Sequence, residues 1–101
     1  MRKLTGIAVL VLLFWAQPVP AAIDCSRAIL GADKLVCSSP RAAAAENYMA
    51  RSFRNAIRRG VDVRYLRETQ LEWKETVRDV CITVDCLMEA YLGRAADLDD
   101  L

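Results

Sequence analysis

Four cysteines, Cys25, Cys37, Cys81 and Cys86, carry the sharpest chemical signal in this chain, the last two sitting in the stretch Arg78-Asp79-Val80-Cys81-Ile82-Thr83-Val84-Asp85-Cys86. Such a set can hold a metal, cycle between thiol and disulfide, or staple the chain. A structural zinc site takes its thiolates in pairs about two to four residues apart. Cys81 and Cys86 fit that loosely, whereas Cys25 and Cys37, with eleven residues between them, do not. A catalytic redox pair favours Cys-x-x-Cys, which lowers a thiol pKa, and that spacing is absent. Stapling is the reading that remains, and neither a metal nor another cofactor is expected. Four cysteines allow three pairings. We expect the local one, Cys25 with Cys37 and Cys81 with Cys86, because each pair brackets one short segment.

Other reactive constellations are thin. The chain has no histidine, which removes the commonest base at neutral pH and the triads built on it. Ser26, Ser38, Ser39 and Ser52 therefore read as caps, turns or surface. Glu68, Glu72 and Glu75 form carboxylate pairs at helical spacing, but acid-base work by two carboxylates needs a cleft that separates their pKa values. These three lie in a charged stripe. The four glycines are dispersed, so no phosphate-cradling loop is present. A non-enzymatic protein without catalytic residues is the expectation.

The compartment follows from the N-terminus. Met1-Arg2-Lys3 is cationic, residues 6–15 are an unbroken apolar run, and Gln17-Pro-Val-Pro-Ala-Ala22 breaks a helix and ends in small residues. This is the pattern of a secretory signal peptide. Val19 and Ala21 favour cleavage after Ala21, with Ala22 a second choice, giving a signal peptide over 1–21 and a domain over 22–101. The run is short for a membrane span, which needs about 20 apolar residues, and Asp24 before Cys25 argues against lipid attachment. We expect a periplasmic or secreted protein, without a membrane anchor after cleavage, in a space where disulfides persist. A domain of 80 residues has a marginal core without such staples.

The elements that must position the cysteines read as helices. Ser39-Pro40 supplies an N-cap with proline at the first helical position, and Gly60 a stop. Between them Ala42, Ala45, Met49, Phe53, Ala56 and Ile57 form one apolar stripe. Asp62 caps a second long run whose inner face is read as Tyr65, Leu66, Trp73, Val77 and Val80. The short Gly60-Val61-Asp62 link makes these two helices antiparallel neighbours. After the cysteine turn, Thr83 or Asp85 caps a last helix with Leu87, Met88, Tyr91, Leu92 and Ala95 inward. A shorter helix over about Ser26 to Val36, broken or weakened at Gly31, precedes them. No alternating run suggests a strand. The fold class is all-α: a small disulfide-stapled bundle of three to four helices with an antiparallel long-helix hairpin. A Cys81–Cys86 bridge would fix the corner at which the last helix folds back.

The order Asp24-Cys25, Cys37-Ser38-Ser39-Pro40, Glu46, Met49, Phe53, Leu66, Gln70, Trp73, Val77-Arg78-Asp79, Cys81, Cys86-Leu87, Tyr91 and Arg94 resembles the small exported bacterial domain of lysozyme inhibitors of the LprI type. The likeness spans nearly all of residues 22–101, and the combination Gln-x-x-Trp, Val-Arg-Asp-x-Cys and Cys-Leu-x-x-x-Tyr-x-x-Arg is its most specific part. It implies a helical, disulfide-bonded envelope protein whose named relative blocks lysozyme. The chain departs from that pattern where Ala42 and Ala45 replace leucine, and where Glu46 and Phe53 replace aspartate and tyrosine. Those changes thin the face of the first long helix and remove a hydroxyl.

Charge supplies an independent argument about partners. Residues 22–67 carry nine basic and four acidic side chains, and residues 68–101 three basic and nine acidic. Arg51, Arg54, Arg58, Arg59, Arg64 and Arg67 surround the Gly60 turn, while Glu68, Glu72, Glu75, Asp79, Asp85, Glu89, Asp97, Asp99 and Asp100 make the last two helices negative. These halves can simply be solvated faces that attract one another. Alternatively, the acidic helices can steer a cationic protein partner, and a lysozyme is the specific candidate that the resemblance implies. Asp79, Asp85 and Glu89 are then the contact candidates, with occlusion of the substrate cleft as the mode of inhibition. A structural or adaptor protein that binds another envelope protein or an anionic polymer through Arg58 and Arg59 is the alternative. Nucleic acid is not expected of a domain near neutrality whose arginine cluster has no interleaved aromatics. Trp73 and Tyr91 read as core, Gln70 as a bond to a neighbouring helix, and Arg78 and Arg94 as structural ion pairs or helix-end ligands.

Overall fold

The computed structural model describes residues 23–101 and contains four α-helices and, among those residues, no strand. The proposed signal peptide lies outside the described residues. A single 3-10 turn, Cys25–Arg27, leads into α1 (Gly31–Ser38), followed by α2 (Pro40–Arg58), α3 (Val63–Trp73) and α4 (Val84–Asp99). Between α3 and α4 a π-helical segment, Lys74–Arg78, continues the path of α3. Among the described residues no helix is long and apolar enough to cross a membrane.

Local chemistry sets the boundaries. The Ser39 hydroxyl accepts from the Ala42 N–H at 3.2 Å, with Pro40 at the first helical position of α2. Asp62 Oδ2 accepts from the Tyr65 N–H at 2.9 Å, and Thr83 Oγ1 from the Cys86 N–H at 3.1 Å. Thr83, not Asp85, caps α4. At the end of α2 the Val61 N–H reaches the Ala56 carbonyl at 3.1 Å and the Gly60 N–H reaches that of Ile57 at 3.0 Å, the paired bonds of a Schellman stop. Gly60 takes φ +93°, a conformation that glycine adopts without a Cβ clash. The first helix expected over Ser26–Val36 is instead split, with Ala28–Leu30 separating the 3-10 turn from α1.

The core lies mainly between α2 and α4. Arg41 approaches Asp85 near the start of both helices, while Arg59 donates to the Leu98 carbonyl near the end of both, so the two run parallel. Helix α3 returns antiparallel to them, its Gln70 touching Met49 of α2 and bonding Arg94 of α4. The hairpin at Gly60 is therefore present, but α2 packs more extensively on α4 than on its chain neighbour α3. Ala42, Ala45 and Ala56 of α2 and Ala95 of α4 are buried beside Met49, Phe53, Leu87, Tyr91 and Leu98, an alternation of small and large side chains that interdigitates at a helix seam.

Several expected core positions face outward. Ile57 and Leu92 are exposed, because the parallel seam uses Phe53 and Ala56 of α2 and Ala95 and Leu98 of α4 in their place. Tyr65, Val77 and Val80 are also exposed. The π segment explains the last two: its Asp79 N–H bonds the Lys74 carbonyl at 2.8 Å, five residues back, which inserts an extra residue into the turn. The inward series then runs Leu66, Gln70, Trp73 and Arg78, and Val77 rotates to solvent.

Candidate functional site

The four cysteines form two disulfides, Cys25–Cys37 and Cys81–Cys86, the local pairing expected from the sequence. No thiol remains free. The first bridge ties the 3-10 turn to the end of α1, and the second closes the corner before α4.

Arg78 is the hub of the charged interior and is only 3 % exposed. Its Nε donates to the Tyr91 hydroxyl oxygen at 2.8 Å, one terminal nitrogen donates to Asp79 Oδ1 at 2.6 Å, and the other donates to Asp33 of α1. Lys74 Nζ bonds the second oxygen of Asp79 at 2.8 Å. Burial opposes the charge on Arg78, but the bonds to Asp33 and Tyr91 outweigh it and raise its pKa above the ordinary value. Burial likewise pushes the Tyr91 hydroxyl up, partly offset by the Arg78 contact. The π segment makes this hub possible by aiming Arg78 inward.

Arg94 is buried with a different set of partners. It donates from Nε to Gln70 Oε1 at 2.8 Å and from a terminal nitrogen to Thr69 Oγ1 at 3.0 Å. No carboxylate among the described residues lies within ion-pair distance, so Arg94 is a structural ligand of α3 and not one half of an ion pair. Burial lowers its pKa. Nor does Arg78 pair with Glu75 one turn earlier, because the π turn carries its side chain away to Asp33.

Beside Arg78 a cavity of about 300 Å³ opens, lined by Trp73, Met49 and Ile23 on its apolar side and by Glu46, Asp33 and Arg27 among its polar groups. Gln70, Arg78 and Tyr91 also line it, so four of the five expected motif residues converge on one cavity, with Arg94 behind Gln70. Trp73 and Tyr91 pack tilted at 53° with ring centroids 5.7 Å apart. Tyr91 is core as expected, whereas Trp73 is half-buried and forms cavity wall. Glu46 has no hydrogen-bond or ion-pair partner among the described residues, and burial raises its carboxyl to about 7 even though Arg78 pulls it down. Sequence reading passed over Asp33, Glu46 and Met49 as site residues. Glu46 stands out only as a resemblance position where the pattern has aspartate, and as a carboxylate between Ala45 and Met49 of the apolar stripe.

The contact candidates fall in three places. Asp79 is held by Lys74 and Arg78 and is only 17 % exposed, so it serves the interior. Asp85 and Glu89 lie exposed on the first turns of α4, Asp85 with Arg41 at 3.5 Å. On either side of Cys81 the corner exposes two apolar side chains, Val80 at 65 % and Ile82 at 86 %. Arg58 and Arg59 lie at the opposite end, Arg59 bonding the Leu98 carbonyl and Arg58 bonding Asn55. All six arginines around Gly60 are exposed, and none has an ion-pair partner among the described residues. The Arg51 guanidinium stacks 5.6 Å from the Tyr48 ring centroid. No family model, curated protein or solved structure matches this chain.

Proposed function

We propose that the protein is an exported, non-enzymatic binding module of the bacterial envelope that blocks a lysozyme by occluding its substrate cleft. The observation that carries this reading is the stapled corner. Ile82 within the Cys81–Cys86 loop and Val80 just before it are exposed, and the exposed Asp85 and Glu89 carboxylates follow within the first two turns of α4. An apolar tip flanked by carboxylates suits insertion into the cleft of a basic protein, because complementary charge steers the encounter while the desolvated apolar anchor supplies affinity. The resemblance to lysozyme inhibitors of the LprI type supports the target, and the signal-like start with two disulfides supports export.

Titration of the oxidised protein into a lysozyme turnover assay tests it, with the reduced protein and Ile82→Asp alongside. Dose-dependent loss of turnover with the oxidised protein, weakened at least about tenfold in Ile82→Asp, is the expected outcome; a loss of that size corresponds to roughly 1.4 kcal/mol of binding. Unchanged turnover across lysozyme types would sink the reading. The second reading, an adaptor that binds an anionic polymer, is favoured by the six exposed arginines around Gly60. Salt-sensitive binding to an acidic polymer, lost in Arg58→Ala/Arg59→Ala, would select it.

A further inference from the structure

The cavity beside Arg78 has an imbalance that points to an occupant. Three cations gather there and behind it: Arg27, Lys74 and Arg78. Each has a carboxylate. Arg27 lies 3.8 Å from Asp24, Lys74 bonds Asp79 at 2.8 Å, and Arg78 bonds both Asp33 and Asp79. Three carboxylates line the cavity, Asp24, Asp33 and Glu46, and Asp79 stands behind it on Lys74 and Arg78. With Asp79 counted, four carboxylates meet three cations, and Glu46 is the one without an ion-pair partner among the described residues. The remaining polar groups are engaged as well, since Gln70 accepts from Arg94 and donates to the Met49 sulfur, and the Tyr91 hydroxyl accepts from Arg78. The rest of the wall is apolar or aromatic: Ile23, Met49 and Trp73. The cavity thus offers one carboxylate without a hydrogen-bond or ion-pair partner among the described residues, Glu46, beside an apolar wall of Ile23, Met49 and Trp73.

We infer that this cavity is a binding site for one alkylammonium group, the chemistry of a lysine side chain or a small primary amine, with its charge on Glu46 and its stem along Met49 and Trp73. An ammonium supplies the missing positive charge and donates hydrogen bonds, while four methylenes fill apolar space. The Trp73 ring adds the cation attraction of an aromatic face. This site is separate from the stapled corner and does not depend on the lysozyme reading.

Binding requires an ionised Glu46, and the charged groups that face it are Arg78 of the π segment and Asp33 of α1, together with Tyr91 of α4. Because burial raises Glu46 to about 7, only a few per cent of it is ionised near pH 5.5 and nearly all near pH 8.5. A site using that carboxylate should bind roughly 30-fold more tightly at the higher pH. Calorimetric titration of the oxidised full chain with n-butylammonium and with Nα-acetyl-lysine amide, at both pH values, tests this, with n-butanol and Nε-acetylated lysine amide as uncharged controls. The expected result is saturable binding of the amines at pH 8.5, weakened about 30-fold at pH 5.5, with no saturation by the controls. Glu46→Gln, whose helical spectrum should match the parent, abolishes amine binding and its pH dependence, and Glu46→Asp retains part of it. Binding of butylammonium alone would assign a free amine, and binding of both would assign a lysine side chain as well. Absence of saturation by either amine at pH 8.5, equal binding by Glu46→Gln, or equal binding of butanol overturns the inference.

Discussion

The two ends of the molecule use the same residue type in opposite ways. At the end built from α1, the π segment and the start of α4, Arg78 is buried and each nitrogen of its guanidinium meets a partner. At the Gly60 end, six arginines stand in solvent, and their contacts are a neighbouring ring, an asparagine and the two carbonyls of Leu98 and Leu101. The difference teaches that arginine density in sequence says little about where arginine matters to the fold. A single guanidinium enclosed with carboxylates outweighs a cluster in water, where ion pairs are screened and mobile.

The sharpest way to break this contrast is Arg78→Met. It strands Asp33, leaves Asp79 with Lys74 alone and the Tyr91 hydroxyl without its donor, and removing one partner from a buried charge network costs about 3–5 kcal/mol. Thermal unfolding followed by circular dichroism should show most of the stability of so small a domain lost. Next come the staples flanking the cluster. Loop entropy assigns about 3 kcal/mol to Cys25–Cys37 and about 2 kcal/mol to Cys81–Cys86, so paired serine replacements should lower the urea midpoint in that order.

Glu46 sharpens the comparison through pH. Its folded-state pKa of about 7 lies above its ordinary 4.5, so the folded chain holds that proton more tightly than the unfolded one. Its contribution to stability is complete below pH 4.5 and is lost as pH rises to about 7. Glu46→Gln should flatten that part of the stability profile, as read from urea midpoints across the range. Arg94→Met should cost only about 1 kcal/mol, because its partners Gln70 and Thr69 are neutral and no carboxylate is stranded. The smallest effect belongs to Arg58→Ala, within about 0.5 kcal/mol by the same unfolding assay. A large loss there would erase the contrast between the two ends.

Which parts of this arrangement were legible follows the range of the forces involved. Ser39-Pro40, Gly60 and Asp62 act within one turn of the backbone, and each places a helix end where its chemistry predicts. Pairing the cysteines locally also needed only short-range reasoning. The reversal of Val77 and Arg78 was not readable, because a regular helical period assigns Val77 to the inside and nothing in Lys74-Glu75-Thr76 announces an inserted residue. Tertiary demand decided it: Asp33 lies 45 positions from Arg78, and local periodicity carries no information about such a partner. The parallel seam was hidden for a similar reason. Ile57 and Leu92 satisfy an apolar stripe on an isolated helix, but the angle at which α4 meets α2 selects Ala56 and Ala95. Asp33 and Glu46 became a site only once α1, α2 and the π segment were brought together, while Gln70, Trp73, Arg78 and Tyr91 were visible as a motif without their common cavity.

Both disulfides close short loops, and Gly60 lies between them in the chain. No covalent link other than the backbone therefore joins the segment holding α1 and α2 to the segment holding α3 and α4. A single proteolytic cut at the exposed Gly60 turn would turn the protein into a two-chain complex, each chain carrying its own disulfide loop and the pair held by non-covalent contacts: the parallel seam, the Arg59 and Arg41 contacts at its two ends, the Arg78–Asp33 bond and the Gln70–Met49 contact. Such a nicked protein would migrate as one species under native conditions and as two fragments in denaturant without any reductant.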